Sequence, residues 1–145
     1  MVLGENEQLT LLERFHTDWA PFWGRVEALD AATLRRGADD DSWPIGLILA
    51  HCARWEDWNY ETITNHLRDG SAPSMTGFAQ WNEQWASVDR SVPPNEARRW
   101  LGDAHERLRT LLDGLRADQW DELVSRCVEA CTFHHYGEHI DDLPA

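Results

Sequence analysis

The sequence predicts an all-α protein, a four-helix bundle with a longer crossover between helices 2 and 3. Three observations carry this. Apolar residues recur three and four apart through four long segments. Clusters of glycine, proline, serine and aspartate punctuate the chain between them. No stretch alternates β-branched with polar residues as a strand would. At 145 residues the chain is expected to be one domain, 1–145, long enough to bury a core.

The first helix is expected in "NEQLTLLERFHTDWAPFWGRVEAL", where Leu9, Leu12, Phe15, Trp19, Phe22, Trp23, Val26 and Leu29 make one apolar stripe. Pro21 marks a kink or a break there. "RRGADDDS" reads as a loop. The second helix follows, with Ser42 as N-cap and Pro44 in the first turn, where proline is tolerated. Leu47, Ile48, His51, Trp55, Trp58 and Ile63 keep helical rhythm, and the helix is expected to stop at Gly70. The crossover holds "GSAPSMTG" and a short helix carrying Trp81 and Trp85. Prolines open the third helix, whose stripe is Ala97, Trp100, Leu101, Ala104, Leu108, Leu111 and Leu115. After a turn in "RADQWDE", a single fourth helix is expected from Leu123 to near Leu143.

Composition narrows the partners. The formal charge is −13, from 26 acidic residues against 13 basic ones, all arginine. Phosphate backbones and anionic membrane surfaces both demand clustered positive charge, so nucleic acid and membrane are excluded as expected partners. A small uncharged or cationic ligand, or another protein, fits better. Cys52, Cys127 and Cys131 are too few, and odd in number, for a disulfide framework, which points to a reducing cytoplasm. No secretory leader is read in "MVLGENEQL", and the longest apolar run, "PIGLILA", is too short to cross a bilayer.

The chemistry concentrates in "FHHYGEHI". On a helix His135 and His139 share a face, while His134 points about 100° away. This spacing lets one helix offer two imidazole nitrogens to one ion. Cys127 and Cys131 continue the stripe upstream beside Val124 and Val128, so the pair is expected to face inward. There an unpartnered histidine cluster is costly and a metal is an economical partner. A third ligand is wanted, and His51, mid-helix among Leu47, Trp55 and Trp58, is the leading candidate.

These residues carry a resemblance. "SWPIGLILAHCARWEDW" resembles the second helix of the DinB/YfiT-like superfamily, and "TFHHYGEHIDDL" is similar to its last helix, with the "HY-x-EH-I" form of the ClbS/DfsB subgroup. The likeness runs through the chain in order, ending just after the motif, which implies the bundle without an appended domain. It implies a metal triad of His51, His135 and His139 holding a divalent ion, zinc or nickel. One coordination position would stay open, as in catalytic sites. Relatives implied by the likeness include thiol S-transferases that use a low-molecular-weight thiol cosubstrate, isomerases and hydrolases acting on reactive small molecules. Many members pair, so a homodimer is expected. Gly137, between the two ligands, departs from a good helix and suggests close approach by a neighbouring helix or a ligand.

Other residues carry two readings each. Glu56 is a candidate catalytic base or ligand-orienting group, or a packed acid. Cys131 is a candidate ligand or nucleophile, or a small core residue. Tyr136 offers a phenol near the site or packs. His16 lines the pocket mouth or rests beside the apolar stripe; His66, His105, His134 and Glu138 read as surface. Arg54, Arg98 and Arg99 are candidates to hold the charged ends of a thiol. The expected function is a metal-dependent transferase or hydrolase acting on an electrophilic small molecule. The alternatives are metal-anchored sequestration of a metabolite, or an ion that only stiffens a dimer.

Overall fold

A computed structural model describes residues 2–36, 43–74 and 76–144. Among them the chain is all helical: α1 (Glu5–Glu27), α2 (Ala31–Arg35), α3 (Ile45–Asp69), α4 (Phe78–Asp89), α5 (Pro94–Asp113), α6 (Glu122–Cys131) and α7 (Phe133–His139), with short 3-10 turns at Ala117–Gln119 and Ile140–Asp142. The expected N-cap Ser42 and most of the "RRGADDDS" loop lie outside the described residues.

Cross-helix contacts set the directions. His16 meets Asp113, and Arg98 donates to the Leu29 carbonyl, so α1 and α5 are antiparallel. Tyr60 lies under Arg107 while Gly46 abuts Pro94, so α3 and α5 run parallel. His66 pairs with Asp121 and His51 faces His135, so α3 opposes α6 and α7. Two consecutive long helices running the same way need a long return, and the segment carrying α4 supplies it. The core gathers Phe15, Phe22 and Val26 with Ile48, Leu49, Leu101, Leu108, Val124 and Val128.

Local chemistry explains most boundaries. Gly70 ends α3 at φ 76°, the left-handed conformation that glycine adopts without a Cβ clash. Asp30 and Asp121 cap α2 and α6 by accepting the amides of Thr33 and Val124. At the start of α3 a Cβ on Gly46 would sit 3.0 Å from Pro94 Cβ, so glycine lets the two parallel helices close together.

Two expectations change. Helix α1 runs unbroken through Pro21; the carbonyl that loses its helical donor there belongs to Thr17, and both residues are exposed. The predicted single last helix is two. At Thr132 (φ −119°, ψ −101°) the backbone leaves helical geometry, and the Thr132 hydroxyl turns back to the Val128 carbonyl.

Candidate metal centre

Helix α3 presents two adjacent stripes to the bundle. Cys52, Glu56, Asn59 and Ile63 are fully buried toward the axis. His51, Trp55, Trp58 and Thr62 form the neighbouring stripe, and Trp55 and Trp58 pack into an aromatic cluster with Phe78, Trp81 and Trp85 of α4. His51 meets the Trp43 ring, just ahead of the helix, edge-on at 5.3 Å.

Helix α7 brings His135 and His139 to the same point. His51 Nε2 and His135 Nε2 are 3.0 Å apart, and one nitrogen from each of the three histidines lies within 4.8 Å of the others. His51 and His135 are each 8% exposed, while the His139 side chain is 19% exposed and marks the edge that solvent reaches. His139 Nδ1 sits 2.8 Å from Asp142 Oδ2. That contact leaves Nε2 as the nitrogen available to the centre.

Electrostatics prepare the donors. Burial, then charge on His139, lowers the His51 pKa to about 4. Burial, with His139 and His51 adding to it, pushes His135 well below its usual range. Both rings are neutral at pH 7, the form that ligates a metal. Two buried Nε2 atoms face one another, so without a cation one must carry the proton for the pair to attract rather than repel. A divalent ion removes that conflict, and the donor set fits one.

Glu56 is 1% exposed, and its Oε1 accepts from the Tyr136 hydroxyl and lies 3.3 Å from His105 Nδ1. Its Oε2, and both amide atoms of buried Asn59, have no partner among the described residues. Burial, then the charge of Glu56, holds the Tyr136 phenol protonated, as its donor role requires. The Oε1 of Glu56 is thus engaged with Tyr136 and His105, and Glu56 is not among the clustered donor groups. Cys131 is buried at the end of α6, where burial raises its thiol pKa well above the ordinary value, and its sulfur is not among the clustered donor atoms.

Several surface assignments are corrected. His105 is 4% exposed, stacked on Trp19 at 3.6 Å and beside Phe15 at 4.9 Å. It follows Leu101 by four residues and precedes Leu108 by three, a rhythm that identifies it as inward. His66 is half-buried and bonded to Asp121, whereas His134 and Glu138 are exposed and pair with each other. His16 is engaged with Asp113, Arg54 with buried Asp89, and Arg98 with the Val26 and Leu29 carbonyls. Arg54 and Arg98 thus each have partners within the chain. Among the described residues nothing beyond the helix's own backbone and the adjoining residues lies within 4 Å of where a Gly137 Cβ would be, so its absence of a side chain serves no contact with a neighbouring helix there. Asp142 is a further site residue beyond those the sequence points to, and its spacing of three from His139 is the signal that marks it.

An all-helical bundle that draws three imidazoles from two antiparallel helices to one point defines a class of candidate metal-binding protein. The chain belongs to the DinB superfamily, whose family model matches residues 14–139 and so spans all three histidines. No curated protein and no solved structure matches it significantly.

Proposed function

We propose that this protein is a metal-dependent enzyme acting on a reactive electrophilic small molecule, as a thiol S-transferase or a hydrolase. The observation that carries the reading is the convergence of His51, His135 and His139 with one edge open to solvent. Three neutral imidazoles would hold zinc or nickel and leave a coordination position unfilled. An ion held there supplies Lewis acidity and lowers the pKa of a thiol or water brought to it. The chain's part is positioning: His51 and His135 present lone pairs, Asp142 orients His139, and Trp43 walls His51. Exposed Asp141 and half-buried Asp142 at the open edge favour an uncharged or cationic substrate over an anion. Among the described residues no helix is long and apolar enough to cross a membrane. The three buried free cysteines fit a cytoplasmic protein, and a homodimer is part of the same proposal.

One observation favours a second reading, metal-anchored sequestration. Glu56 and Cys131, the residues expected to do acid–base or nucleophilic work, are buried and are not among the clustered donor groups. Protein purified without a histidine tag should carry near-stoichiometric metal, lost in His51→Ala and His135→Ala. Wild type that stays empty after zinc and nickel soaking defeats both readings. Incubation with low-molecular-weight thiols and electrophiles, followed by mass spectrometry, separates them: an adduct or hydrolysate supports the enzyme, and retention of unchanged ligand supports sequestration.

A further inference from the structure

We infer that Glu56, acting through Tyr136 and His105, is a positioning residue that sets helix α7 against α3 and so holds His135 in register with His51; this rests on the metal reading above. The argument begins with the break at Thr132. Helix α7 has only seven residues and does not continue α6, so its orientation is not inherited from the longer helix. Side-chain contacts must supply it.

Two of those contacts join the same pair of helices. His135 reaches His51, and the next residue, Tyr136, reaches Glu56. Neighbours on a helix point about 100° apart, so one looks at the centre and the other at the bundle axis. On α3 the two anchor points are five residues apart, about 7.5 Å along the axis. Two separated points fix both the height and the rotation of a short helix. A third comes from α5, where His105 Nδ1 lies 3.1 Å from the Tyr136 hydroxyl.

The network is rigid. The Tyr136 ring stacks on Phe22 at 5.4 Å and meets Trp19 edge-on at 5.1 Å. His105 stacks with both Trp19 and Phe15. A ligand geometry held to a fraction of an ångström needs support of this kind.

Glu56 is also a costly choice for packing alone. A buried acid with one oxygen unpartnered among the described residues is less favourable than leucine or methionine in the same volume. One of its partners, Tyr136, sits on the helix that carries two of the three imidazoles, and the other, His105, sits on α5. The retained acid is explained by what it positions.

The test compares zinc affinity and the cobalt(II) absorption spectrum in wild type, Tyr136→Phe, Glu56→Leu and Glu56→Gln. Tyr136→Phe and Glu56→Leu should weaken zinc binding about tenfold or more and shift the cobalt bands. Glu56→Gln keeps an acceptor oxygen for Tyr136 and should recover most of the affinity. Leu108→Ala, a core truncation on α5 outside the network, should lower the melting temperature while leaving both readouts unchanged. Unaltered zinc affinity and cobalt bands in Tyr136→Phe and Glu56→Leu overturn the inference, as does equal weakening by Leu108→Ala. Amide hydrogen exchange on metal-free protein gives an independent arm: Tyr136→Phe should accelerate exchange in α7 more than in α6. Uniform exchange overturns the inference even if wild type binds no metal, an outcome that by itself would sink the metal reading.

Discussion

His139 Nδ1 lies 2.8 Å from the carboxylate of Asp142, one turn further along the chain in the 3-10 segment that closes the last helix. The contact fixes both the tautomer and the tilt of the one imidazole at the solvent-facing edge of the cluster. Asp142→Ala should therefore weaken metal binding by about 10- to 100-fold, the usual cost of losing a carboxylate behind a histidine ligand. Asp142→Asn, which keeps one acceptor oxygen, should lose less. Isothermal titration with zinc measures both, and equal affinity for wild type and Asp142→Ala would show that His139 needs no such support.

In the metal-free protein, His51 ties stability to acid. Its folded pKa of about 4 lies below the ordinary 6.5, because burial disfavours the charged ring and His139 adds to the effect. Between those values the unfolded chain binds a proton that the folded chain refuses. The contribution is complete above pH 6.5 and is lost as pH falls toward 4, by about 3 kcal/mol at most. Urea titrations of wild type and His51→Gln, with chelator present, should show the stability difference shifting against wild type from pH 7 to pH 4.5. A difference that stays flat across that range contradicts the burial argument.

His66 should behave with the opposite sign. Its hydrogen bond to Asp121 raises its pKa against the opposing effect of burial, helped by the Ser71 carbonyl. The folded state therefore holds the proton more tightly than the unfolded chain does. Its stabilisation is full below pH 6.5 and disappears as pH rises through the raised value. The gap in melting temperature between wild type and His66→Gln should be wide at pH 5.5 and narrow at pH 9, and a gap that widens instead would refute the assignment.

Two helical glycines offer a packing contrast. Gly137 has open space where a Cβ would sit, whereas a Cβ on Gly102 would come 3.0 Å from Trp23 Cη2. Gly137→Ala should stabilise the protein by roughly 0.5–1 kcal/mol through helix propensity. Gly102→Ala should gain less, or lose, because the Trp23 indole must move. Denaturant midpoints rank the two, and the reverse order would mean that α7 is not helical in solution.

Metal linkage gives the last expectation. An ion that binds only the folded state at 100 times its Kd adds about 2.7 kcal/mol. Chelation of loaded protein should lower the melting temperature, and His135→Ala should be insensitive to chelator. A melting temperature unchanged by chelation of fully loaded wild type would argue that the ion does not bridge α3 and α7.

Much of the architecture was legible in the residues. Period-3.6 stripes placed α1, α3 and α5, Gly70 marked the end of α3, and the four-residue interval paired His135 with His139. These are local properties, since backbone geometry alone decides which side chains share a face. The break at Thr132 was not legible, because no proline or glycine stands there and the preceding rhythm continues past it. His105 reads as surface by residue type, although its spacing from Leu101 and Leu108 places it on the buried stripe; its neighbours on α1 and α7 show what it stacks against.

Sequence by itself determined that the chain is helical, that two histidines point one way, and that its surface is acidic. Tertiary structure alone decided that His51 meets His135 across 84 residues, and that Glu56 Oε1 meets Tyr136 and His105. The physical reason is one of range: helix formation is written in contacts three and four residues apart. The meeting of two helices depends on the summed packing of every side chain between them.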